Sequence, residues 1–103
     1  MTFSVQQIKF DCFSYIKEFG ARMEDWTIGM AEDPEQAMFD TLGIDRDRDI
    51  WLWKPAMTPV AARTVVDFMV GRYRLDPAPG FGPARAGRCV FMYRKSGVTP
   101  GHG

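Results

Sequence analysis

The side chains best suited to chemistry fall into four groups. Glu32, Asp33 and Glu35 crowd three carboxylates into four positions. Paired carboxylates bind Mg²⁺ or move protons. At a helix start they instead cap free amides and complement the dipole, and the Asp33-Pro34 pair favours that role. The stretch Pro77 to Arg88 holds Gly80 and Gly82 close to Arg85 and Arg88. Glycines let backbone amides converge on an anion, and the arginines would add charge-assisted contacts. A dinucleotide fingerprint needs a strand before the glycines and a helix after them. Here a strand follows, so a rigid surface connector with solvated arginines is the plainer reading. Trp26, Trp51 and Trp53 all fall on expected strands. Stacked aromatics bind single-stranded bases, but they also fill small cores, and only Lys54 lies near them as a base. Arg63, among Ala61, Ala62 and Val65, reads as a half-buried arginine paired with Asp67 one turn on.

The remaining chemistry is sparse. His102 is the one histidine, and it lies in the terminal Pro100-Gly101-His102-Gly103. A Ser-His-Asp or Cys-His site has no partner to use. Cys12 and Cys89 are the two cysteines and sit among apolar neighbours, where a free thiol behaves as a small buried hydrophobe. They cannot complete a four-ligand zinc site. No catalytic residue, metal ligand or cofactor is therefore assigned. The candidate binding residues are Trp26, Gly29, Arg63, Gly80, Gly82, Arg85 and Arg88.

The elements that would position these residues are legible from periodicity. Val5, Ile8, Cys12, Ile16 and Phe19 form one helical stripe. Ser4 and Gln7 read as its capping box, and Gly20 as its stop. Asp25 to Ala31 alternates Trp26, Ile28 and Met30 with small Thr27, Gly29 and Ala31, which predicts a strand whose small face a helix or another backbone approaches closely. Asp33-Pro34 opens a second helix with Met38 and Leu42 as its ridge, ended by Gly43. Asp45 to Asp49 alternates in charge and reads as a solvated loop. Ile50 to Lys54 is apolar on both faces, which suits a central strand or one covered on both sides. Thr58-Pro59 starts a third helix, to about Tyr73. Residues 76–87 read as an irregular loop, and Cys89 to Arg94 as a last strand. The expected fold is α/β or α+β, a single small domain in the order α-β-α-β-α-β. A three-stranded sheet packs against the helices over residues 1–96, and 97–103 form a flexible tail.

The Trp26-Thr27-Ile28-Gly29 strand, followed by Asp33 and a helix, resembles the second signature strand of GIY-YIG-type domains. The match covers roughly Trp26 to Phe39. The first signature strand is absent, and an N-terminal helix takes its place. The stretch Glu35-Gln36-Ala37-Met38 lacks the family's catalytic arginine, and Asp67 is the nearest counterpart of its metal-binding glutamate. The resemblance thus implies a fold relative without the nuclease chemistry.

Composition sets the outer bounds. The 103 residues carry 13 basic and 13 acidic side chains, a formal net charge of zero. That excludes coating of nucleic acid by charge alone. The charge is nevertheless segregated, at −5 over residues 32–49 and +6 over residues 50–103. No run of about 18 apolar residues is present, and Met1-Thr2-Phe3-Ser4 has no leader-like pattern. The expectation is a cytoplasmic, non-catalytic binding or protein-interaction domain, a monomer or weak dimer with an unknown protein partner. The alternative is a degenerate GIY-YIG-like nucleic-acid-binding module using the basic C-terminal half.

Overall fold

Two sequence signals, a hydroxyl before a helix and a proline at its first turn, set the frame of the molecule. In the computed structural model, which describes residues 1–20, 22–82 and 87–94, helix α1 spans Val5–Glu18 and α2 spans Pro59–Tyr73. Ser4 Oγ accepts the Gln7 amide and Thr58 Oγ1 the Ala61 amide, each at 3.1 Å. The Gln7 side chain turns forward to Asp11 rather than back to close the expected box. Gly20 follows α1 at φ +62°, a conformation that suits glycine.

The strands are β1 (Thr27–Ala31), β2 (Ile50–Pro55), β3 (Asp76–Pro77) and β4 (Cys89–Arg94). They form one mixed sheet in the order β2-β4-β1-β3. The domain is thus a small α+β fold with four strands rather than three. The fourth strand hides inside the supposed irregular loop, whose Asp76 and Ala78 amides donate to Trp26 and Ile28 carbonyls. β4 enters antiparallel between β1 and β2. β1 and β2, joined through residues 32–49, are therefore parallel but not adjacent. Ile50–Pro55 is consequently an edge strand, with all six residues half-buried. Its two-faced hydrophobicity reflects the second of the two expected arrangements, cover above and below the sheet. The second helix also differs from expectation. Residues 34–35 start it, and Gln36–Thr41 then widen into a π-helix, with the Leu42 amide donating to the Ala37 carbonyl.

Register divides the core. Ile28 pairs with Met92, and Met92 with Leu52; these residues face α1 and α2. There they meet Ile8, Cys12, Ile16, Val65, Val66 and Met69. Thr27 pairs with Tyr93 and Gly29 with Phe91, which in turn pair with Trp51 and Trp53. That row faces the π-helix through Ala37, Met38 and Ile44. Trp26 precedes β1 on the helix side, so it does not join Trp51 and Trp53. It is fully buried against Tyr15.

Edges of sheets invite pairing, and both edges here are blunted. β3 is two residues long and contains a proline. On β2, the Tyr15 hydroxyl donates to the Trp51 carbonyl at 2.8 Å and the Phe3 amide to the Pro55 carbonyl at 2.9 Å. Between them Lys54 points toward the helix layer, its Nζ 3.7 Å from Asp11 and 4.7 Å from the Phe3 ring centre. An inward charge on an edge strand opposes sheet extension. Lys54→Val is expected to tighten self-association by about tenfold, read by sedimentation equilibrium. Unchanged sedimentation would show that Tyr15 and Phe3 alone guard this edge.

Candidate functional site

The end of β1 opens onto a cleft of about 340 Å³, lined by Ala31, Glu32, Asp33, Gln36, Thr41 and Phe81 among others. Each wall has a local cause. Asp33 Oδ1 accepts the Gln36 amide at 3.1 Å, so the carboxylate caps the helix start as its position implies. The π-helix carries Gln36 and Thr41 along one flank. The opposite wall is the strand-like run after β3. The Phe81 amide donates to Ala78 O at 3.0 Å, a turn that passes through Gly80 at φ +79°. Phe81 O then accepts the Met30 amide at 2.9 Å.

That wall can approach only because residue 29 lacks a side chain. A Cβ on Gly29 would lie 2.7 Å from Phe91 Cζ, 2.8 Å from Phe81 O and 3.0 Å from Ala78 Cβ. Gly87 works similarly, since a Cβ there would sit 2.6 Å from the Ala31 backbone. The small face of β1 is therefore closely approached, as its sequence predicts, and by backbone rather than by a helix.

The charge at the cleft is negative. Glu32 accepts the Arg88 amide at 3.2 Å, and its carboxylate lies 3.7 Å from the Arg88 guanidinium. Arg88 thus serves an internal pair. With Glu32 and Asp33 at its rim, the cleft favours a cation or an amide donor over the anion that the glycines and arginines bring to mind.

Of the candidate binding residues among those described, none lines the cleft itself. Gly29 lies against the Phe81 carbonyl and Arg88 pairs with Glu32. Gly80 and Gly82 flank Phe81 in the chain, and two candidates lie elsewhere. Trp26 lies in the helix-side core, its indole Nε1 buried without a partner. Arg63 is exposed rather than half-buried. Ala62, Val65, Val66 and Met69 take the inward face of α2, which turns residue 63 to solvent. Among the described residues no ion pair joins it to Asp67. Arg85, and the tail from 97 onward, lie outside the described residues. Sequence reasoning missed Gln36, Thr41 and Phe81. The Asp33-Pro34 start was the available signal, because it fixes where the helix faces begin.

The charge-alternating loop is also more engaged than expected. Asp49 is buried and its Oδ2 accepts the Asp45 amide at 2.7 Å, while Asp45 Oδ1 accepts the amides of Asp47 and Arg48. The Arg46 guanidinium lies 4.0 Å from the Phe39 ring centre and 3.3 Å from Glu35. The indoles of Trp51 and Trp53 donate to Arg46 O and Glu35 Oε2.

Both cysteines are free and buried, as their neighbours predict. Burial, reinforced by Asp11, pushes the Cys12 thiol from 9.0 up to about 12. Burial, with Glu32 adding to it, also raises Cys89. Neither thiol is poised as a nucleophile. The raised Cys12 value has a sign that can be checked. The unfolded chain loses this proton from 9.0 upward while the folded chain keeps it to about 12. Stability from this residue is full below pH 9 and falls as pH climbs toward 12, by about 1.4 kcal/mol per pH unit. Urea melts of the protein and of Cys12→Ala should therefore diverge in slope above pH 9. Parallel alkaline curves would contradict that burial effect.

Among the described residues, no group of His, Cys, Asp and Glu side chains is placed to hold a metal ion. Among them too, no helix is long and apolar enough to cross a membrane. No family model matches the chain, and neither a curated protein nor a solved structure matches it.

Proposed function

We propose that this protein is a non-catalytic binding domain that captures a basic segment of a protein partner in the cleft beside β1. One observation carries the reading: a cleft of about 340 Å³ whose rim offers the Glu32 and Asp33 carboxylates and whose walls offer Gln36, Thr41 and the Phe81 ring. Carboxylates at the rim attract lysine and arginine head groups. The aromatic wall suits their methylene stems. The rigid approach of Phe81 to β1 keeps the site formed without a ligand, which lowers the ordering cost of binding.

The distribution of arginines supports a protein partner over nucleic acid. Arg63 and Arg72 sit on α2, while Arg88 and Arg94 lie at opposite ends of the β4 region. A phosphate backbone is tracked by a contiguous basic face, and Arg88 is already engaged by Glu32.

The test is a two-dimensional amide NMR titration with a short lysine- and arginine-rich peptide, and separately with a DNA duplex. Peptide shifts should centre on Ala31, Glu32, Gln36, Thr41 and Phe81, and Glu32→Lys should weaken them. Salt-sensitive DNA shifts at Arg63, Arg72 and Arg88, with none at the cleft from peptide, would replace this reading with nucleic-acid binding.

A further inference from the structure

The far flank of the π-helix carries a second arrangement, separate from the cleft. The Phe39 and Trp51 rings stand at 81° to each other with centroids 5.0 Å apart. They make two walls of a corner. Glu35 closes it with a carboxylate whose Oε2 is oriented by the Trp53 indole N–H at 3.3 Å. Two aromatic faces and an oriented carboxylate are the elements with which proteins recognise organic cations. The corner already holds one. The Arg46 guanidinium carbon lies 4.0 Å from the Phe39 centroid and 5.8 Å from the Trp51 centroid, and its Nη2 lies 3.3 Å from Glu35 Oε1.

We infer that Phe39, Trp51 and Glu35 form a binding site for an arginine side chain of a partner protein, which Arg46 occupies in the free molecule. The seated guanidinium identifies the chemistry the corner accepts. Its hold is of the kind that exchanges. The Arg46 and Glu35 side chains are 54% and 45% exposed, and ion pairs this open to solvent are weak. The walls do not depend on the plug in the same way. Phe39 and Trp51 pack on the core formed by Met38, Ile44, Phe91 and Tyr93. The Trp51 indole donates to the Arg46 backbone carbonyl at 3.0 Å, a bond that survives removal of the Arg46 side chain. The Asp45 carboxylate, which accepts two loop amides, fixes that backbone independently.

This inference does not rest on the cleft reading, and its signals arise from different residues. The probe is N-acetyl-arginine methylamide, followed by tryptophan fluorescence and by the Trp51 and Trp53 indole N–H resonances. The neutral isostere N-acetyl-citrulline methylamide is the control. Arg46→Ala should bind the arginine derivative saturably and ignore the citrulline one. The parent protein should bind it about tenfold more weakly, because Arg46 competes from within. Adding Glu35→Gln to Arg46→Ala should remove the binding. If Arg46→Ala does not fold, Arg46→Gln keeps the stem, removes the charge and serves the same comparison. A folded Arg46 variant that binds no better than the parent protein, or that binds citrulline equally, overturns the inference and leaves Arg46 as a loop fastener.

Discussion

Gly29→Ala should cost this domain about 3 kcal/mol or more, against the usual gain from alanine over glycine in a strand. The new methyl would meet Phe91 Cζ, Phe81 O and Ala78 Cβ at 2.7, 2.8 and 3.0 Å. Of these, the Phe91 ring has some freedom to move. The Phe81 carbonyl has little, because the Met30 amide holds it at 2.9 Å and the Phe81 amide is tied to Ala78. A second substitution separates the two contributions. Phe91→Leu in the Gly29→Ala background frees the ring contact but leaves the carbonyl, so the double variant should not recover parental stability. Urea denaturation of the two single variants and the double measures this coupling. A Gly29→Ala loss below about 1 kcal/mol would mean that the wall of the cleft yields easily, and the preformed site would go with it.

The elements that sequence made legible are those defined by local rules. Ser4, Thr58 and Pro59 mark helix starts by chemistry that acts within three residues, and both caps form. The alternation from Trp26 to Ala31 predicted both a strand and its closely approached face. The failures are non-local or too subtle for side-chain spacing. β3 is two residues held by Trp26 and Ile28 carbonyls, and no propensity marks so short a strand. The placing of Ile50–Pro55 at an edge follows from β4 reversing direction, which depends on where the 76–87 connection carries the chain. A π-helix differs from an α-helix by one step in hydrogen-bond register, and six residues change their apolar spacing too little to reveal it. The site divides the same way. Gly29 and Arg88 were recognisable as unusual, and each touches a residue that lines the cleft, Phe81 and Glu32 respectively. The carboxylates of Glu32 and Asp33 were legible as a cluster, but not that they and Phe81 line one cleft, because Phe81 comes from a distant part of the chain. Arg46 read as a solvated charge because its partners, Phe39 and Trp51, come from elements on either side of its own loop.

One core residue stands directly behind the Phe81 wall of the cleft, and that makes a sharper test of whether the site is built by the fold. Phe91 is fully buried at the centre of β4, edge-on to Phe81 at 5.8 Å and parallel to Tyr93 at 6.3 Å. Its neighbour Met92 is equally buried but points to the helix side. Truncation of either to alanine should cost several kcal/mol, about 3–5 for Phe91 and about 2–5 for Met92. The two variants should nevertheless differ at the cleft. Phe91→Ala removes the ring that Phe81 leans on, so the Phe81 wall loses its support and peptide binding should fall well beyond what the unfolded fraction explains. Met92→Ala leaves Phe81 against Phe91, and its folded fraction should bind as the parent protein does. Denaturation curves give the stability losses, and NMR titrations below the melting range give the binding of the folded molecules. If both variants bind equally, Phe81 is held by its backbone bonds to Met30 and Ala78 alone. In that case the second face of the sheet contributes stability to the domain but no shape to its site.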